Sequence, residues 1–309
     1  MKSKIYVIGS SNTDMVVKSN FLPKPGETVI GDTFLMNPGG KGANQAVSAC
    51  KLGADVTFIT KVGNDMFGKK AVNNFKKIGI KTDYIRIDKS NSSGVAIIMV
   101  DKSGENSISV APGANNSLTI KDVNFIEEKL KADDYVLIQL EIPKTVVEYL
   151  IEICNKLKVK LILNPAPFQK ISDYHLSQVN TITPNEIETE YLSGIKVKDK
   201  ETAKKASEIL INKGIKNIII TMGEKGAFYK SSSFEGLIPT KKVSVIDSTA
   251  AGDTFNGALV AGLSMKMDML TSIDFANNAA TYSVTKLGAQ SSAPSINNLN
   301  NKFLKYVHS

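Results

Sequence analysis

The densest chemistry in this chain of 309 residues lies in Asp247-Ser248-Thr249-Ala250-Ala251-Gly252-Asp253-Thr254-Phe255-Asn256-Gly257-Ala258, where small residues lead into an apolar helix expected to begin near Ala251. Small side chains at Ala250, Ala251 and Gly252 let an anion approach the free N–H groups of a helix's first turn, where the macrodipole also favours negative charge. A carboxylate there repels a resting anion, so Asp253 makes chemical sense as a base that takes a proton from a hydroxyl attacking phosphorus. Alone, it reads rather as an ordinary first-turn helix acid, since acidic first turns are common. A glycine-rich turn, Asn37-Pro38-Gly39-Gly40-Lys41-Gly42-Ala43-Asn44-Gln45-Ala46, runs into a helix reaching about Leu52. It lacks the GxxxxGK[ST] spacing, and no strand is followed by GxGxxG, so neither a P-loop nor a Rossmann fingerprint is supported. Lys41 and Asn44 offer donors of the kind sugar hydroxyls need; an ordinary glycine turn with a solvated lysine is the alternative.

Three further clusters sit where strands are expected to end. Gly9-Ser10-Ser11-Asn12-Thr13-Asp14 places Asn12 and Asp14 on one face of extended backbone, which suits a vicinal diol and also suits Asx-turn capping. Asn185-Glu186-Ile187-Glu188 opens a helix with Asn185 and Glu188 one turn apart. That sparse pair is enough for a Mg²⁺ that keeps most of its waters, or it is a helix cap. Glu141, Thr221 and Gly223 fall just past strands, where open α/β sheets bind ligands.

The elements that must position these residues follow a βα rhythm: Tyr135–Leu140, then Pro143–Lys156, then Val159–Leu163. Further strands are expected at Ile5–Ile8, Val56–Thr60, Thr181–Thr183 and Ile218–Thr221, apolar enough to be buried on both faces. The rhythm breaks at Asp14–Met36 and Thr82–Val110, where alternating segments such as Val95–Val100 and Ser107–Val110 read as antiparallel hairpins. The expected fold is α/β: a central mainly parallel sheet flanked by helices on both faces, with a small antiparallel β lid. Residues 1–13, 37–81 and 111–309 form the expected main domain, and 14–36 and 82–110 the lid. An uncovered sheet face suits a closing lid, a dimer surface, or both.

Together these segments closely resemble the ribokinase-like (pfkB) carbohydrate kinase family from about Ile5 to about Pro294, most specifically through Gly39–Ala46 and Thr249–Ala258. The resemblance implies ATP-dependent phosphorylation of the primary 5-hydroxyl of a small sugar, D-ribose first. It implies Asp253 as general base, with Ala250, Ala251 and Gly252 forming the anion hole. The sugar is expected among Asn12, Asp14, Gly40, Lys41, Gly42, Ala43, Asn44, Glu141 and Asp253. ATP is expected at Asn185, Thr221, Met222, Gly223, Glu224, Lys225, Gly226, Gly252 and Asn277. By the same resemblance Asn185 and Glu188 organise Mg²⁺, and K⁺ sits by Asp247, Thr249, Ser283, Lys286, Gly288 and Ser292, several acting through backbone carbonyls. A homodimer joined through the lid is implied as well. Ser248, Thr249, Ser283 and Lys286 depart from relatives without touching the base.

Other acceptors (deoxyribose, fructose, a nucleoside) keep the fold, although Asn12 and Asp14 would be left unpaired in a closed site by an acceptor lacking the diol. A silent sugar-binding module has no use for a base beside an anion hole. The formal charge of +8 rests on scattered lysines with Arg86 as the single arginine, so nucleic acid is not an expected partner. Cys50 and Cys154 stand outside any CxxC pattern, and the apolar run after Met1–Lys4 is too short for a signal peptide or a membrane span. A cytoplasmic protein without membrane contact is expected.

Overall fold

A computed structural model of the chain describes residues 3–299 and 301–306; residues 1, 2, 300 and 307–309 of the expected main domain lie outside the described residues. Eight strands form the larger sheet, in the spatial order Glu235–Ile238, Ala227–Lys230, Asn217–Thr221, Thr181–Ile182, Lys160–Leu163, Tyr135–Ile138, Ile5–Ile8 and Val56–Ile59. Neighbours from Asn217–Thr221 onward are parallel, with Ile5 opposite both Val56 and Tyr135. The first two strands are an antiparallel edge that the βα rhythm did not reveal, because a tight turn at Gly223–Gly226 folds the chain straight back onto Asn217–Thr221.

Strand side chains alternate between two apolar cores. Ile5 and Val7 pack into one, Tyr6 and Ile8 into the other. The helices Lys41–Lys51, Ala251–Ser264 and Met269–Ser283 cover the first, and Lys144–Lys156 with Lys200–Asn212 cover the second. Burial on both faces is why these strands read as continuous apolar runs rather than as alternating ones.

The smaller sheet has the order Thr33–Gly39, Asn12–Lys18, Gly94–Val100, Asn106–Ala111. Its outer pairs are antiparallel, as the hairpin reading requires. Its central pair, Asn12–Lys18 with Gly94–Val100, is parallel, because the two strands enter the sheet in the same direction from separate parts of the chain. Phe34, Ile97, Ile108 and Val110 on this sheet stay exposed. Among the described residues, no helix is long and apolar enough to cross a membrane.

Candidate active site

The site begins with a close helix contact. A Cβ on Gly257 would lie 2.5 Å from the Gln45 carbonyl oxygen and 2.6 Å from Ser48 Cβ, so glycine lets the helix Ala251–Ser264 press against Lys41–Lys51. That contact sets their first turns side by side. Asn44 Nδ2 donates to Asp253 Oδ2 at 3.0 Å, and Gln45 Nε2 donates to Asp253 Oδ1 at 2.9 Å. Burial pushes the Asp253 carboxyl up from its ordinary value, while Lys41 and the two amide donors pull it back toward the ionised form.

A buried amide network fixes this arrangement. Gln45 Nε2 also donates to Asn164 Oδ1 (2.9 Å), and its carbonyl accepts from Gln139 Nε2 (2.7 Å). Asn164 Nδ2 donates to the Thr183 carbonyl, Thr183 Oγ1 donates to Asn256 Oδ1, and Asn256 Nδ2 donates to the Gly252 carbonyl. The base and the first turn beside it are thereby tied to the ends of the central strands.

That first turn is open. Ala250 precedes the helix with φ 58°, and no side chain caps the N-terminus. The Ala251 N–H turns back to the Ser248 carbonyl at 3.2 Å, which leaves the N–H groups of Gly252 and Asp253 for a ligand. Gly252 faces empty space: a Cβ added there meets nothing within 4 Å. It lines a cleft of about 640 Å³ together with Asn185, Thr221, Gly223, Glu224, Gly226 and Asn277. The sequence expectation also put Met222 and Lys225 here, but neither lines the cleft. Met222 is apolar and sinks into the second core, and Lys225 Nζ donates to the Lys198 carbonyl.

A smaller cavity of about 280 Å³ takes Asn12, Asn115 and Glu141 into its wall. Ser10 Oγ and the Lys41 N–H (3.0 Å) both donate to Glu141 Oε2, so this carboxylate serves the open end of the helix Lys41–Lys51. Gly40 makes the turn into that helix at φ 88°, a conformation that favours glycine. Burial pushes the Asp14 carboxyl up to about 6, with Glu141 and Asp253 adding to the rise and Lys41 opposing it. Burial works against the Lys41 charge, yet Asp253, Glu141, Glu188 and Asp14 together hold its ammonium above the ordinary value. Four carboxylates thus favour the charge of one lysine. Gly42 and Ala43, expected at the sugar, pack inward instead: Gly42 lies against Gly9, and the buried Ala43 donates its N–H to the Ser10 carbonyl.

Asn185 and Glu188 form a reciprocal helix cap, with Glu188 N–H donating to Asn185 Oδ1 at 2.8 Å and Asn185 N–H to Glu188 Oε2 at 2.9 Å. Burial raises the Glu188 carboxyl, and Lys41 pulls it down. The six positions expected around K⁺ are partly drawn together. Asp247 Oδ1 accepts from Thr249 N–H and Oδ2 from Gly288 N–H, both at 2.8 Å, while its own N–H reaches the carbonyl of Val284, next to Ser283. The Lys286 side chain lies over the Tyr282 ring, so that position has only its backbone oxygen to give, and Ser292 Oγ donates its hydrogen to the Ala289 carbonyl, which leaves its lone pairs.

Sequence reasoning passed over Gln45, Asn115, Asn164, Thr183 and Asn256. Gln45 and Asn256 lay inside the quoted motifs, and Asn164 and Thr183 directly follow strands, where the strand-end rule points. Asn115, in the short turn Gly113–Ser117, carried no such signal.

A buried carboxylate in the first turn of an uncapped helix, next to the Gly252 that lines the larger cleft, is suited to phosphoryl transfer to a hydroxyl. The chain belongs to the pfkB family of carbohydrate kinases, whose sequence model matches residues 2–296. It is similar to a ribokinase of Haemophilus influenzae (44% identity, covering 95% of this chain and 96% of the relative). It is also similar to a deoxyribokinase of Salmonella typhi (38%, covering 96% and 97%). Among solved structures it superimposes on Arabidopsis thaliana ribokinase complexed with ribose and ATP, with a TM-score of 0.88, 28% identity and 100% of both chains covered.

Proposed function

We propose that this kinase transfers the γ-phosphoryl group of ATP to the primary 5-hydroxyl of D-ribose. The observation that carries the reading is Asp253, a buried carboxylate within the open first turn of an uncapped helix. ATP lies in the larger cleft with its phosphates toward Gly252, and ribose lies in the smaller cavity. Asp253 takes the hydroxyl proton as that oxygen attacks phosphorus in line, and the amides of the helix terminus receive the spreading charge. Lys41, whose charge four carboxylates favour, stays charged through the reaction.

The pair Asn185 and Glu188 fits a magnesium ion that keeps its waters, because each side chain already serves the other and has only spare lone pairs to give. Among the described residues no group of three or more His, Cys, Asp or Glu could grip a metal unaided, so the ion arrives with the triphosphate, whose charge it neutralises. Asp247, Thr249 and Gly288 would hold potassium in the loops beside the anion hole. The exposed apolar side chains of the small sheet suit a homodimer, and the cytoplasm is the compartment where ATP and two free thiols fit together.

Asp253→Asn tests the reading: kcat for ADP release should fall about 10²–10⁴-fold with the unfolding midpoint nearly unchanged. Near-normal turnover would remove Asp253 from the role. A panel of pentoses, hexoses and nucleosides, with and without potassium, fixes the acceptor. 2-Deoxyribose is the specific rival, given the similarity to a deoxyribokinase.

A further inference from the structure

We infer that Asn115, whose Oδ1 and both Nδ2 hydrogens are engaged within the protein, sets the acceptor specificity of this kinase by fixing which end of the Asn12 amide faces the sugar. One group here has no choice of role: the Ser11 backbone N–H can only donate. It donates to Asn115 Oδ1 at 2.9 Å, which puts Asn115 Nδ2 on the opposite side. One Nδ2 hydrogen goes to the Ser11 carbonyl (3.3 Å) and the other to Asn12 Oδ1 (2.7 Å). The Asn12 carbonyl is therefore engaged. Among the described residues its NH₂ has no hydrogen-bond partner, and Asn12 lines the smaller cavity, so two donors are offered to whatever fills it.

Nothing nearby lets this pair relax. Asn115 is 2% exposed and Asn12 is 7% exposed, and a Cβ on Gly94 would come within 2.2 Å of Asn12 Oδ1 and 2.3 Å of Asn115 Nδ2. The polarity is thus set from outside the sugar's contacts: Asn12 donates, and Asp14, two residues along the strand, accepts. A hydroxyl pair that accepts from one and donates to the other satisfies both. In a ribofuranose the hydroxyls besides the reacting one are at C1, C2 and C3, so either vicinal pair includes the 2-hydroxyl. The sugar that breaks the pair in every pose is 2-deoxyribose.

This rests on the ribose reading above, and the test separates the two. Asn115→Asp keeps the acceptor for Ser11 N–H but turns its second oxygen toward Asn12 Oδ1, which forces the Asn12 amide to rotate and present its carbonyl. Asn115→Leu keeps the volume and frees the amide. The ratio of kcat/KM for ribose to that for 2-deoxyribose should fall about tenfold in Asn115→Asp and by a smaller factor in Asn115→Leu, with most of the change in the KM for ribose. Equal losses for both sugars in folded Asn115→Asp would mean mere structural support and would overturn the proposal. The isosteric Asp variant carries the test if Leu fails to fold. A wild-type protein that does not phosphorylate ribose would sink the functional reading itself, and this inference with it.

Discussion

Asp14 shows how a residue tuned for a ligand costs the empty protein. Its carboxyl is raised from an ordinary 3.8 to about 6, so the folded state holds that proton more tightly than the unfolded state does. The sign follows by linkage: the stabilisation from the proton is complete below about pH 4 and is lost as pH rises through about 6. At pH 7 the sugar-free protein should therefore gain on the order of 1–3 kcal/mol from Asp14→Asn, read as a higher denaturant midpoint. The ionised carboxylate is the better acceptor for hydroxyls, so ribose binding to the wild type should weaken about tenfold between pH 7 and pH 5, a dependence that titration calorimetry should find missing in Asp14→Asn. These side chains were legible in the sequence as types at a spacing. Their protonation was not, because it depends first on burial and then on Glu141 and Asp253, both set by distant parts of the chain.

At the scale of the element, the first turn of the helix Ala251–Ser264 sets fold and chemistry against each other. Gly252 is a poor helix residue with open space where its side chain would be, so Gly252→Ala should fold normally and add up to about 1 kcal/mol of stability. The methyl group would occupy the place of a phosphoryl oxygen, so KM for ATP should rise and kcat fall, measured by ADP release beside thermal unfolding. An unchanged KM and kcat would place the phosphates elsewhere. The sequence showed this helix through its run of small residues. It could not show that Ala250 turns left-handed to open the terminus, since alanine carries no mark of that conformation. Nor could it show that the Met222 and Lys225 side chains turn from the cleft: a loop contiguous in sequence points its side chains in several directions, and only the backbone path decides which face the cleft.

For the whole molecule, the parallel core was readable because strands buried on both faces leave unbroken apolar runs, as at Ile5–Ile8 and Tyr135–Ile138. The antiparallel edge at Ala227–Ile238 was not, since the tight turn at Gly223–Gly226 gives no helical spacer to mark it. The exposed Phe34 and Ile97, which the strand register places on one face, predict self-association through the small sheet: Phe34→Lys with Ile97→Lys should convert a dimer to a monomer in sedimentation velocity, and a wild-type monomer would reject that interface. Asn12 is the last feature to follow outward, because it belongs to a strand of the small sheet while standing at the mouth left by Ile5–Ile8 of the large one. A pentose seated there touches both bodies at once and acts as mortar in the joint between them. Backbone amides from Asn12 to Lys18 should then exchange with deuterium more slowly once ribose is added, even with no nucleotide present, so the molecule stiffens around its smaller substrate before the larger one arrives.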